Sequence, residues 1–255
     1  MTGPILGINI SVTEIRPFYG SVSGKIGELG SGTGFFFRKD DKLYVITNRH
    51  VIISEEEHTY PEFIKLKIHN DNNNLQSTRE ISIDLYNGSK PQWLEHPKGG
   101  SMDIVALDIT SFIESTDIIF AFQKEFFPNK DIVIDPSSVV AVCGYPLGFY
   151  DRRNNLPIIR RGSIASSYWQ EFNGEQKFLL DSILHEGMSG SPVVLLPTGM
   201  ERSWNGSLRM GVISPPYLLG IHTGSITPLG GPDVQLYYEY YFWVIADLLG
   251  IPRQI

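Results

Sequence analysis

Three short segments hold residue types that together can transfer an acyl group. Thr47-Asn48-Arg49-His50-Val51-Ile52 places a histidine directly after the apolar run Leu43–Thr47. Ser101-Met102-Asp103-Ile104-Val105 places an aspartate ahead of another. Glu186-Gly187-Met188-Ser189-Gly190-Ser191-Pro192-Val193 sets a serine between two glycines. The order is His50, Asp103, Ser189, with separations of 53 and 86 residues. A serine hydroxyl is a weak nucleophile at neutral pH and needs a base beside it. A histidine can be that base because imidazole titrates near neutrality. A carboxylate on the other ring nitrogen fixes the tautomer and stabilises the imidazolium that forms. The backbone amides of Gly187 and Ser189 would then hold the developing oxyanion, and such a donor is worth roughly 10²–10³ in turnover.

Taken singly, each residue has a plain alternative: a turn histidine, an aspartate capping a strand, a serine in a glycine turn. Two glycines around one serine are more than a turn requires. Gly187 frees the backbone to aim an amide, and Gly190 is expected to keep the space beyond the hydroxyl clear.

The elements that must position these groups read as short strands. Candidates are Gly34–Phe37, Leu43–Thr47, Phe63–His69, Ile81–Leu85, Asp103–Ile109, Val139–Cys143, Phe178–Leu184, Pro192–Leu196, Met210–Ser214 and Tyr217–His222. Gly, Pro, Asn and Asp clusters bound most of them. Helical periodicity is clear only over Tyr238–Leu249, which stops at Gly250 with Pro252 beyond. Ser54–His58 is a candidate single turn. The expected class is all-β with one C-terminal helix, and two sheets or barrels would use up this length.

Composition narrows the function. The chain has 255 residues, 21 basic and 28 acidic, for a net charge of −7. Nucleic-acid binding needs clustered Lys and Arg, so no nucleic-acid partner is expected. With 42% hydrophobic and 19% charged residues, the chain is neither disordered nor fibrous. The single cysteine, Cys143, cannot form an internal disulfide. Residues 1–20 make a poor secretory signal, and no window reaches the roughly 18 apolar residues of a membrane span. A cytoplasmic location away from membranes is the expectation. The Glu55–Glu57 run reads as a solvated turn. His58, His69, His96 and His185 lack zinc-ligand spacing, so neither metal nor cofactor is expected.

The constellation resembles the chymotrypsin/trypsin-like serine peptidases, on the branch that includes HtrA-type and bacterial glutamyl endopeptidases. Further matches support the resemblance. Gly30-Ser31-Gly32-Thr33-Gly34-Phe35 is similar to the strand opening ahead of the catalytic His, and Val142-Cys143-Gly144-Tyr145-Pro146-Leu147-Gly148 to the turn that starts the second barrel. Arg161-Gly162-Ser163-Ile164 is similar to the strand after it, and Leu219-Gly220-Ile221-His222-Thr223-Gly224 to the strand lining the specificity pocket. The resemblance implies two packed antiparallel β-barrels in one peptidase domain. The first would cover about 1–125, the second about 126–236 and the C-terminal helix about 237–250. His50 and Asp103 would come from the first barrel and Ser189 from the second.

The resemblance also implies a substrate pocket. Its floor would be Ile183, which argues against trypsin-like specificity, although a one-residue slip of register, with Asp181 nearby, stays open. His222 would reach into the pocket and bind a Glu or Gln side chain, with Ser225 as a small hydroxyl beside it. Glu186, at the rim, would repel a charged Glu more than a Gln. Thr223 would support the catalytic Asp, and Thr223, Gly224 and Ser225 would pair with the substrate as an added strand.

Zymogen-type relatives carry an Asp just before the nucleophile, where this chain has Met188. Control by a partner protein, an effector or the loop Gly148–Leu156 is expected instead. A protein or peptide substrate is expected. The alternative is a catalytically silent peptidase fold used for binding.

Overall fold

The computed structural model describes residues 1–255 apart from 1–3, 21–25, 29, 54–57, 59, 198–199, 203–206, 212–214, 227–233 and 254–255. A short helix, α1 (Pro4–Asn9), leads into β1 (Val12–Gly20), β2 (Ile26–Glu28), β3 (Gly32–Lys39) and β4 (Lys42–Thr47). One helical turn, α2 (Arg49–Ile52), follows β4. Then come β5 (Phe63–His69), β6 (Thr78–Asp84), the minor pair β7 (Tyr86–Asn87) and β8 (Lys90–Pro91), β9 (Trp93–Glu95) and β10 (Val105–Asp108). Eight of these strands form one curled antiparallel sheet in the order β6-β5-β1-β3-β4-β10-β9, with β2 added to β1.

The second half holds β11 (Val139–Gly144), β12 (Ile158–Ile164), β13 (Lys177–Asp181) and β14 (Pro192–Leu195). It continues with the hairpin β15 (Met200–Arg202) and β16 (Leu208–Met210), then β17 (Tyr217–Ser225), β18 (Leu236–Tyr241) and α3 (Phe242–Leu249). Six strands close into a barrel, β11-β12-β13-β18-β17-β14. The fold is the double-barrel, all-β arrangement that the sequence implied, with the first barrel present as a curled half-barrel sheet.

The run Phe35–Phe37 shows how the halves share a core. Phe36 packs inside the first sheet with Ile15, Leu43 and Val45. Phe35 and Phe37 face the other way, into a core shared with the second barrel and α3. Both faces of β3 and β4 are therefore buried, and that is why these strands read as unbroken apolar runs.

β1 and the approach to the C-terminal helix differ from expectation in ways that have a physical reason. β1 was hidden by Pro17. It pairs with β3 only as far as Ile15 and with β5 from Arg16 onward, so the proline lies past the last β3 rung. The helix starts at Phe242, not at Tyr238. Leu236–Tyr241 is a strand instead, because its aromatic side chains pair in register with both β13 and β17 and close the barrel. The apolar spacing seen before Phe242 belongs to a strand with both faces packed. The helix does end at Gly250, which is left-handed (φ 63°), with the Gly250 and Ile251 amides bonded back to Asp247 and Ala246. The candidate turn Ser54–His58 and the Glu55–Glu57 run lie almost wholly outside the described residues, and so does most of Met210–Ser214, whose described start, Met210, closes β16.

Candidate active site

β4 and β10 are antiparallel neighbours, with Thr47 opposite Val105. That register carries His50, just past the end of β4, to Asp103, just before β10. Asn48 starts α2 and its amide Nδ2 donates to the Asp103 carbonyl at 2.7 Å. The His50 backbone N–H donates to Asp103 Oδ1 at 2.8 Å, and His50 Nδ1 lies 2.6 Å from Oδ2. Oδ2 also accepts the Thr223 hydroxyl at 3.1 Å. An ionised carboxylate only accepts, so His50 Nδ1 is the donor, and in a neutral imidazole that leaves the lone pair on Nε2. The imidazole is half-exposed and Asp103 less so.

Thr223 reaches Asp103 because β17 bulges there. His222 is opposite Glu239 and Gly224 opposite Tyr238, so Thr223 is the extra residue. Such a bulge re-aims a side chain. Here it directs the Thr223 hydroxyl across the seam to the first sheet.

The segment around Ser189 is held by the other half of the molecule. The Ser189 carbonyl accepts the Thr33 N–H at 2.9 Å, and the Gly187 carbonyl accepts the Thr33 hydroxyl at 2.7 Å. That hydroxyl in turn accepts the Tyr145 N–H at 3.1 Å, and the Thr33 carbonyl accepts the Thr47 hydroxyl at 2.7 Å. Thr33 thus ties β3, β4, β11 and the Ser189 turn together. The sequence showed it only as part of a strand motif, without a role.

Gly187 has φ +86°, and a Cβ there would sit 2.3 Å from the Tyr145 carbonyl oxygen. The Glu186 carbonyl accepts the Leu147 N–H at 2.7 Å. In a trans peptide the N–H points opposite to the C=O, so the Gly187 N–H is turned away from Leu147. Among the described residues neither the Gly187 nor the Ser189 N–H has an acceptor within the chain. Gly190 also has φ +86°, but its lack of a side chain serves a different need from the one expected. A Cβ there would strike the Thr33 carbonyl oxygen at 2.0 Å and the Thr47 hydroxyl at 2.6 Å. The glycine lets the two halves approach.

A cleft of about 510 Å³ is lined by His50, Ser189, Glu186, His222 and Thr223, with Gly224 and Ser225 at the end of β17. His185, Leu184 and Tyr237 complete it. Ile183 does not line it. Its side chain is 47% exposed, while Leu184 is buried and faces the cleft. The expected lining residue is thus replaced by its neighbour, because exposure alternates along Asp181, Ser182, Ile183 and Leu184. Met188 is fully buried.

Behind His222 lies a buried acid, Glu239, on β18. Glu239 is 0% exposed, and its Oε1 is 3.0 Å from His222 Nδ1. Burial pushes the Glu239 carboxyl above its ordinary range, and the nearby His222 ring offsets this only in part. The signal available in sequence was a lone acid within Tyr237-Tyr238-Glu239-Tyr240-Tyr241, a run too apolar for a solvated carboxylate.

Among curated proteins no relative matches the chain. The family model described as a trypsin-like peptidase domain matches residues 32–199, which run from the start of β3 through the Ser189 turn and β14. That span covers most of the chain and includes His50, Asp103 and Ser189, so the chain belongs to the trypsin-like peptidase domain family.

Proposed function

We propose that this chain is a serine endopeptidase working through an acyl-enzyme, with His50, Asp103 and Ser189 as its catalytic residues. The observation that carries this is the Asp103 carboxylate. It accepts three hydrogen bonds, two of them from His50, at a cleft that Ser189 also lines. His50 Nε2 takes the Ser189 proton as Oγ attacks the scissile carbonyl. The Gly187 and Ser189 amides receive the oxyanion. His50 then returns the proton to the leaving amine, and a water, deprotonated the same way, releases the acyl group.

The supporting residues follow. Thr223 holds Asp103 in place. Gly224, with open space where a Cβ would stand, and exposed Ser225 leave the end of β17 free for an extended substrate backbone. His222 favours a Glu or Gln side chain before the scissile bond. Regulation by a partner protein is part of the same reading. It is supported by Leu147 and Phe149, each 69% exposed, on the segment whose Leu147 N–H holds the Glu186 peptide.

A fluorophosphonate probe tests the reading. Wild-type protein should label, and Ser189→Ala should not, with peptide hydrolysis falling by about 10⁴-fold or more. Wild-type protein that never labels while still binding peptides would instead support the silent binding fold.

A further inference from the structure

Glu239 sits on β18 directly opposite His222 on β17. Its Oε1 meets His222 Nδ1, while its Oε2 is buried with no partner among the described residues. Among those residues no Lys or Arg lies within ion-pair distance of Glu239. A lone negative charge enclosed this way is costly, so the pair settles where its net charge is zero. Zero net charge requires two protons. One sits in the Oε1–Nδ1 bond, whichever atom owns it. The other can sit on Oε2 or on Nε2; on Oε2 it would be a buried hydroxyl with no acceptor, so Nε2, on the ring that lines the cleft, is its place. The Nε2 position makes no hydrogen bond within the chain among the described residues. Tyr237 packs edge-on against the ring at 5.5 Å, but its hydroxyl is already used by the Leu184 N–H and carbonyl. The pair therefore offers the cleft one N–H donor and no net charge, and Glu186 adds a carboxylate to the lining.

We propose that Glu239 is a specificity-determining positioning residue: it keeps a proton on His222 Nε2, so that the cleft selects glutamine before the scissile bond, over glutamate and over lysine or leucine. This rests on the serine-peptidase reading and narrows its Glu-or-Gln preference. A Gln amide oxygen accepts the Nε2–H without bringing charge. A glutamate brings a charge that the neutral pair does not balance and that Glu186 repels. A lysine offers only donors to a donor.

The test uses the full chain and four peptides that differ only in Gln, Glu, Lys or Leu at that position. Wild-type kcat/KM should favour Gln over Glu by about 10-fold or more, and over Leu and Lys by about 100-fold. Glu239→Leu should lose most of the Gln preference while the fluorophosphonate labelling rate stays within about threefold of wild type. Glu239→Gln should restore the preference, because its amide can still donate to Nδ1. Nitrogen NMR of His222 in full-length Ser189→Ala protein should place a proton on Nε2, and it gives an answer even if Glu239→Leu fails to fold. A bare Nε2, or an unchanged Gln preference in a labelling-competent Glu239→Leu protein, overturns the proposal and leaves the peptidase reading standing. Wild-type protein that does not label overturns the reading and the proposal with it.

Discussion

A single methyl group separates a working Ser189 turn from a strained one. Gly187 combines a left-handed φ of +86° with a Cβ position 2.3 Å from the Tyr145 carbonyl oxygen. An alanine there meets backbone, not a movable side chain, so the 186–187 peptide must rotate. Its N–H would then leave the direction fixed by the Glu186-to-Leu147 bond. Gly187→Ala is expected to lower turnover by about 10²–10³-fold while folded protein remains. Steady-state kinetics beside a thermal melt check this, and unchanged turnover would mean that the Gly187 amide holds no oxyanion. Asp103 illustrates the opposite condition. Its carboxylate accepts from His50 N, His50 Nδ1 and Thr223 Oγ1, so its position is set by several groups at once.

At the scale of elements, the site is an arrangement between a sheet and a barrel. β4 and β10 deliver His50 and Asp103 side by side through their register. The bulge in β17 sends Thr223 across to them. β3 sends Thr33 the other way, onto the Ser189 turn. Thr33 is fully buried, and its hydroxyl links the Gly187 carbonyl to the Tyr145 amide. Thr33→Val keeps the shape and deletes both bonds. It should cost about 1–3 kcal/mol of stability, because two buried polar groups lose their partner. Turnover should fall as well, as the Ser189 turn loses its tie to β3. Thr33→Ser should recover most of both losses. Denaturant unfolding and kcat for the three proteins decide the matter, and a valine variant as active as wild type would show that the turn holds its shape without Thr33.

For the whole molecule, the two halves must stay registered, and the segment that connects them is pinned to the first sheet. Arg79 on β6 donates through Nε to Asp117 Oδ1 at 2.7 Å, pairs with Oδ2 through Nη2, and also caps the Phe112 carbonyl. Burial alone would raise the Asp117 carboxyl, but the hydrogen bonds from Arg79 and the Glu114 amide more than offset it, so the net shift is downward. A carboxyl held below its unfolded value stabilises the fold fully above that value, which is 3.8 for an ordinary aspartate, and progressively less as pH falls through the folded value. Acid below about pH 4 should therefore loosen this connection. Asp117→Asn should cost about 1.5–3 kcal/mol at neutral pH and flatten the acid limb of the stability curve. Melts across a pH series test this, and a variant with an unchanged acid limb would assign that limb to other carboxylates.

What the sequence alone determined was the fold class, the family and a set of candidate groups. The types and order of His50, Asp103 and Ser189, the glycines around the serine and the recurring short apolar runs were all legible. Each of these is local, carried by one residue type or by a period of two. The unseen parts depended on partners far away in the chain. Pro17 hid β1, since only the switch from β3 to β5 makes a proline harmless there. The tyrosines before Phe242 read as helix until β13 and β17 were present to pair with them. Ile183 took the place of Leu184 because a one-residue shift reverses which side chain faces inward. Thr33 and Glu239 had no visible role, because a hydroxyl or a carboxyl gains one only from what it meets, and Gly187 and His222 lie 154 and 17 residues away from them. The sequence singled out the candidate groups, and the tertiary structure decided what holds them, because hydrogen-bond partners and burial are set by packing across the chain.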